Sequence, residues 1–157
     1  MKYKIKMRIW TRDAFILQEA CMFLGLARLM TMMKFRQFAP FLGKKAQHEP
    51  EEPSDDQLAR AQKVKSAILA MSVRTPWKSR CLVRAIAAQI MLRRRRINCT
   101  LYLGVAKNDA KRMKAHAWVK CGKLFLTGER PAGDYTYVAA FSNEFNSPGR
   151  SGEGEAG

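Results

Sequence analysis

Helix-type and strand-type patterns occupy separate parts of this chain, and their order constrains the fold more than any single motif does. From about Asp13 to Ile90, apolar residues recur at the spacing of amphipathic helices. From Cys99 to Phe141 the chain instead shows short runs rich in β-branched and aromatic residues. Helices followed by strands are typical of an α+β domain, whereas a parallel α/β sheet needs the two to alternate. We therefore expect N-terminal helices followed by an antiparallel sheet.

The same patterns predict three helices and five strands. The helices run from about Asp13 to Phe35, from a capping box at Ser54 to about Ser72, and from Cys81 onward. The first nine residues alternate basic and apolar side chains, which predicts a half-buried edge strand. The remaining predicted strands are Cys99–Val105, Ala115–Val119, Leu124–Leu126 and Tyr135–Phe141.

The length of 157 residues and the hydrophobic content of 47% fit a single folded domain. We divide the chain into an N-terminal strand and apolar helix with an acidic linker (residues 1–53), a core (residues 54–142) and a disordered tail (residues 143–157). The linker, from Gly43 to Asp56, carries Pro50 and Pro53. The tail is rich in glycine and serine, a composition that buries too little apolar surface to fold.

A formal net charge of +16 indicates an anionic partner: a nucleic acid, an acidic peptide or protein, or a lipid surface. The densest basic run, Arg93–Arg96, falls at a predicted helix end, where cations complement the helix dipole. It lacks the interleaved aromatic residues of single-strand binders, so we predict no specific nucleic-acid partner. Gln18, Glu19 and Arg28 interrupt the first helix, which therefore packs in the core, on a partner or on a membrane surface rather than crossing a bilayer.

The cysteines form no CxxC motif, and the chain opens without a cleavable signal sequence. This predicts reduced thiols in a cytoplasmic protein, with peripheral membrane association left open. A zinc site made of Cys81, Cys99, Cys121 and His116 is an alternative, but the close ligand spacings of zinc knuckles are absent. We predict no metal and no cofactor.

Cys81 stands where a helix is predicted to begin, and His116 follows 35 residues later in a strand-type run. A thiol in the first turn of a helix lies in the positive end of the helix dipole, beside unpaired N–H groups that favour a thiolate and can hold an oxyanion. Alternate strand residues share a face, so the His116 imidazole and the Trp118 indole are expected to point the same way. The alternative is a structural cysteine that behaves as a small hydrophobic residue.

Four motifs surround this pair: Ser79–Ala85, Met91–Arg95, Leu103–Val105 and His116–Val119. In order and spacing they resemble the lasso peptide biosynthesis B2 proteins, a family of transglutaminase-like cysteine proteases, over roughly Pro76 to Phe141. The resemblance implies a transglutaminase-like or papain-like core with Cys81 as the nucleophile and His116 as its base. It implies a cysteine peptidase that removes the leader from a lasso peptide precursor.

The resemblance also implies partners: the lasso precursor peptide, a separate leader-recognition protein of the B1 type, and an ATP-dependent macrolactam cyclase. Some relatives carry the recognition domain in front of the peptidase; too little sequence precedes Cys81 for it, so a stand-alone form is expected. The family commonly carries an aspartate twelve residues after the histidine to orient it, and here that residue is Gly128. Glu129 and Asp134 are the candidates for the orienting role.

Two other functions stay open on the sequence. Another acyl-transfer enzyme, such as an amidase or a transglutaminase, would use the same Cys81 and His116 with a different acceptor. A basic adaptor without catalytic activity would bind nucleic acid or a membrane through its arginines and first helix. Nucleic-acid binding of that kind would fall steeply as salt is raised.

Overall fold

The fold is α+β, with helices before most of the sheet, in a computed structural model that describes residues 2–46, 52–76, 80–107, 113–128, 136–143 and 145. The described helices are α1 (Lys2–Met30), α2 (Phe35–Phe38), a 3₁₀ helix (Ala39–Leu42), α3 (Asp55–Ser72) and α4 (Cys81–Arg94). The described strands are β1 (Lys44–Lys45), β2 (Cys99–Lys107), β3 (Met113–Cys121), β4 (Leu124–Thr127) and β5 (Thr136–Asn143).

The strands form one antiparallel sheet in the order β1-β5-β2-β3-β4. One face of the sheet carries fully buried side chains, among them Leu101, Val119 and Cys121. These residues belong to the same hydrophobic core as the inner faces of α1, α3 and α4. The helices therefore cover one face of the sheet, which confirms the predicted fold class.

Helix α3 begins with the capping box that the sequence predicts. The Ser54 hydroxyl accepts a hydrogen bond from the Gln57 N–H at 3.3 Å, and the Gln57 side-chain oxygen accepts one from the Ser54 N–H at 3.0 Å. Two otherwise unpaired N–H groups of the first turn are satisfied in this way. The apolar stripe of α3 is buried in the core through Ala61, Val64 and Ile68.

The predicted N-terminal strand is wrong, because α1 is continuous from Lys2 to Met30. The alternation of basic and apolar residues over the first nine positions suits a strand only if a neighbouring strand offers hydrogen bonds. Neither glycine nor proline separates these residues from the apolar stretch that follows, and lysine, arginine and methionine are good helix formers. The edge strands of the described sheet are β1 and β4 instead.

Three predicted boundaries also shift. Helix α1 ends at Met30 rather than near Phe35, where the short helix α2 begins. The predicted linker contains β1, which pairs with β5, while residues 47–51 lie outside the described residues. Strand β5 continues into the predicted tail, because Asn143 is buried opposite Cys99 and donates a side-chain hydrogen bond to its sulfur at 3.7 Å.

The arginine run at the end of α4 is more than a solvated terminus. Arg95 makes a two-pronged contact with the Glu19 carboxylate of α1, at 3.1 and 2.6 Å. Arg94 lies 3.4 Å from the same carboxylate and places its guanidinium over the Phe23 ring. These contacts tie α1 to α4, so the densest positive charge of the chain is partly used inside the fold. Within the described part of the chain, no helix is long and apolar enough to span a bilayer.

Candidate active site

Cys81 is the first residue of α4, as the sequence predicts. Arg80 precedes it in extended conformation and provides no side-chain cap, and the first turn of α4 contains no acidic residue. The helix bonds begin with the Arg84 N–H donating to the Arg80 carbonyl at 3.1 Å. Because the N–H groups of the first turn have no partner within a helix, they are available to a negative charge at the thiol. The Cys81 side chain is half-buried and borders the hydrophobic core.

His116 lies in β3, where it pairs with Gly104 of β2. The strand alternates as predicted: Ala117 and Val119 are buried in the core, and His116 and Trp118 are half-buried on the other face. The imidazole and the indole stack at 5.8 Å between ring centres with 25° between planes. This confirms that the two rings share a face, and the stack limits how the imidazole can turn.

The aromatic row continues beyond Trp118 into the neighbouring strands. Tyr102 of β2 stacks on the indole at 5.7 Å, and Tyr137 of β5 meets Tyr102 edge to face at 6.2 Å. Neither tyrosine was among the candidate site residues predicted from the sequence. The alternation of side chains along the two predicted strands could have indicated which face each tyrosine occupies. Only the strand order shows that β2 and β5 both lie on the same side of β3.

The topology brings Cys81 and His116 to the same end of the molecule. Helix α4 covers 14 residues, about 21 Å, and β2 then runs back along it. The Gln89 side chain of α4 donates a hydrogen bond to the Phe141 carbonyl of β5, and Phe141 pairs with Leu101 of β2. Gln89 therefore lies at the same height along the sheet as Leu101. The start of α4 therefore lies toward the part of the sheet that holds His116. Helix α4 packs on the face of β3 that carries Ala117 and Val119, so the imidazole of His116 lies on the opposite face of the sheet from this helix.

Gly128, at the end of β4, lies directly against the imidazole. A Cβ placed on Gly128 would be 3.1 Å from His116 Nε2, and also 2.8 Å from both the Ala117 carbonyl oxygen and Trp118 Cβ. The position twelve residues after the histidine is thus the one that could touch its ring. Glu129 and Asp134, the predicted orienting groups, lie outside the described residues.

Two of the four cysteines are unsuited to nucleophilic attack. Burial, with a smaller contribution from the neighbouring Cys121, raises the pKa of Cys99 to about 12. Burial alone raises the pKa of Cys121 to about 11. Both thiols therefore stay protonated near neutral pH, while Cys21 and Cys81 are only partly buried.

The described residues give the zinc alternative no support. No group of three or more histidine, cysteine, aspartate or glutamate side chains among them is arranged to hold a metal ion. Cys99 and Cys121 point into the hydrophobic core and His116 lies on the other face of β3, so a shared ion would have to span the sheet.

A helix that begins at Cys81 and packs on an antiparallel sheet carrying His116 defines a small α+β domain. Comparison with protein-family models matches residues 23–140 to the transglutaminase-like superfamily, and the chain belongs to this superfamily. Its members are typically cysteine-dependent enzymes. Searches of curated proteins and of solved structures give no significant match. Catalytic roles for Cys81 and His116 stay predictions.

Proposed function

We propose that this chain is a cysteine peptidase that removes the leader from a lasso peptide precursor in the cytoplasm. It would act together with a separate leader-recognition protein and a macrolactam cyclase. Membership of the transglutaminase-like superfamily supports the general chemistry, and the four motifs around Cys81 and His116 support the narrower substrate. The observation that carries the proposal is the place of residue 128, where a Cβ would lie 3.1 Å from His116 Nε2, because the resembled family commonly carries its histidine-orienting aspartate at this spacing.

The reaction is acyl transfer through the Cys81 thiol. The sulfur attacks the carbonyl carbon at the junction of leader and core, and His116 takes the thiol proton. His116 then gives that proton to the leaving nitrogen, so the core departs with a free amino terminus and the leader stays bound as a thioester. Water hydrolyses the thioester and releases the leader with a carboxylate. The N–H groups at the start of α4 stabilise the oxyanion at both stages.

The two imidazole nitrogens have different tasks in this scheme. One nitrogen would exchange a proton with the thiol and the other would bond an orienting group. Nε2 is on the side of Gly128, since it lies 3.1 Å from the place where a Cβ at residue 128 would be. Glycine has no side chain to orient the ring, and the Trp118 stack provides part of that restraint. Glu129 and Asp134 remain the proposed sources of a carboxylate; separate Glu129→Gln and Asp134→Asn variants, assayed for turnover, identify which one contributes.

Substitution of the thiol tests the proposal. Cys81→Ala should lower the rate of leader cleavage by more than about a thousandfold while leaving the melting temperature unchanged, because it removes the nucleophile alone. The assay uses mass spectrometry on precursor, recognition protein and purified chain. Cys21→Ala is the matched control, since Cys21 is also a partly buried free thiol but lies in α1. Normal cleavage by Cys81→Ala would refute the assignment.

The same assay separates the alternatives. If the superfamily chemistry is right but the substrate class is wrong, Cys81 will be alkylated selectively while the precursor stays intact, and an amidase or transglutaminase becomes the better assignment. If the chain is a basic adaptor, Cys81→Ala will change no measured property. A pull-down in which the chain ignores both the recognition protein and the leader would count against the partner assignment.

A further inference from the structure

One side of α1 and the turn after it exposes a concentration of large apolar side chains. Of the twelve most exposed large apolar residues in the described part of the chain, eight lie between positions 15 and 41. We call this set the apolar face: Phe15, Met22, Leu26, Leu29, Met32, Met33, Phe35 and Phe41. Scattered exposed apolar residues are ordinary, but such a concentration on one segment marks an interaction site.

Helix α1 is apolar on two opposite sides. At about 100° per residue, Phe15, Met22, Leu26 and Leu29 fall within an arc of roughly 60°. The opposite side, which includes Leu24 and the small residues around it, is fully buried against α3 and α4. A helix that only covers a core has a polar outer side. The outer side of α1 is therefore shaped for contact with something outside this domain.

The charges beside the apolar face are almost all positive. From residue 14 to residue 46 the only acidic residue is Glu19, and it is held by Arg94 and Arg95. The same stretch contains five basic residues: Arg28, Lys34, Arg36, Lys44 and Lys45. Arg94 also lines a surface hollow with Phe15 and Met22. The partner of this face must therefore combine an apolar interior with negative charge at its surface.

The β1 edge of the sheet is basic, whereas the β4 edge carries charges of both signs, since Lys65 donates to the Phe125 carbonyl of β4 and Lys123 is exposed in the preceding turn. Lys44 and Lys45 form β1, which is one edge strand. At the other edge, the turn between β3 and β4 lies against Glu52 and Pro53, and the exposed acids Asp55 and Asp56 begin α3. The β1 edge, beside which Phe35 of the apolar face packs on Phe141 of β5, is therefore the edge that an anionic surface attracts more strongly.

We propose that the apolar face docks on an anionic lipid membrane. The protruding methionine and phenylalanine side chains enter the boundary of the acyl chains, and the neighbouring lysines and arginines contact the headgroups. A second copy of the chain fits poorly, since each copy carries a net charge of +16 and the apolar face offers no acidic rim to the other. This docking is independent of the Cys81 chemistry.

Vesicle co-sedimentation with the full chain tests the proposal. We expect binding to vesicles of equal parts phosphatidylglycerol and phosphatidylcholine, and little binding to phosphatidylcholine alone. Met32→Ser with Phe41→Ser should weaken binding to anionic vesicles at least about tenfold, because two exposed side chains no longer insert. The matched control is Val73→Ser, which removes an apolar side chain that is 81% exposed but lies outside the apolar face.

A second pair of variants separates local charge from net charge. Lys44→Gln with Lys45→Gln should weaken binding by about fivefold per cation removed. Lys63→Gln with Lys123→Gln makes the same change in net charge on exposed side chains elsewhere, and should have a smaller effect. Cys81→Ala should bind as the parent chain does.

Three outcomes overturn the proposal. One is that the chain binds neither kind of vesicle, in which case an acidic protein becomes the better candidate partner of the apolar face. Another is that both pairs of lysine substitutions weaken vesicle binding equally, which would show that binding depends on net charge alone and not on the apolar face. The last is a dimer in sedimentation velocity that Met32→Ser with Phe41→Ser converts to monomer, which assigns the apolar face to a second copy.

Discussion

At the scale of single residues, Gly128 decides how the proposed base can be oriented. Its backbone has φ +66°, a conformation that favours glycine, and an added Cβ would lie 2.8 Å from the Ala117 carbonyl oxygen. That neighbour is backbone and cannot move aside without disturbing β3. The local backbone therefore disfavours any side chain at position 128, and an aspartate placed there would strain the structure.

Substitution of Gly128 gives a direct prediction. Gly128→Ala and Gly128→Asp should each lower the free energy of unfolding by about 1–3 kcal/mol, because both add the strained Cβ, and Gly128→Asp should not accelerate cleavage. Urea denaturation and the cleavage assay measure the two effects. Lys123→Gln, at an exposed site in the preceding turn, makes the same change of one unit in net charge and is the control for it. A Gly128→Asp enzyme that is as stable as the parent and faster would contradict the argument.

At the scale of elements, Gln89 joins three parts of the fold. Its buried side-chain amide donates to the Leu42 carbonyl at 2.6 Å and to the Phe141 carbonyl at 3.1 Å. One amide therefore fixes α4 to the 3₁₀ helix and to β5. These two contacts also set the position of the sheet along α4, the helix that begins at Cys81.

Gln89→Leu should therefore lower the free energy of unfolding by about 2–3 kcal/mol, since it keeps the volume but leaves two buried carbonyl groups unpaired. Amide hydrogen exchange should rise first in β1 and β5, which lose their tie to α4. The matched control is Gln62→Leu, because Gln62 is an exposed glutamine on α3. Similar losses in the two variants would show that Gln89 does not hold the elements together.

Local patterns specified most of this fold, and long-range contacts specified the remainder. The start of α4 at Cys81 and the cap at Ser54 depend on neighbouring residues, and both were predicted. The N-terminal strand failed because the choice between helix and strand there depends on which element occupies the sheet edge. The role of Gln89 was not predicted, because its two acceptors lie 47 and 52 residues away in the chain. The place of Gly128 beside His116 was implied by the resemblance, but its left-handed backbone conformation was not predicted.

At the scale of the whole molecule, the two buried thiols predict a loss of stability at alkaline pH. In the folded state the pKa of Cys99 is about 12 and that of Cys121 about 11, both above the ordinary value of 9.0. Above pH 9.0 the unfolded chain releases these protons while the folded chain keeps them, so the free energy of unfolding falls as pH rises. The contribution is complete below pH 9.0 and is lost progressively toward pH 11 to 12.

The test is the pH dependence of urea denaturation in the parent chain and in Cys121→Ala. Between about pH 9 and 10 the parent should lose up to about 1.4 kcal/mol more per buried thiol than a chain without that thiol. Deprotonation of lysines relieves the repulsion of the net charge of +16, but this effect is common to all variants and cancels in the comparison. Val119→Ala, on the same buried face of β3, controls for the cavity that the substitution leaves. If Cys121→Ala and Val119→Ala show the same dependence on pH, the buried thiol does not set the alkaline limit of this fold.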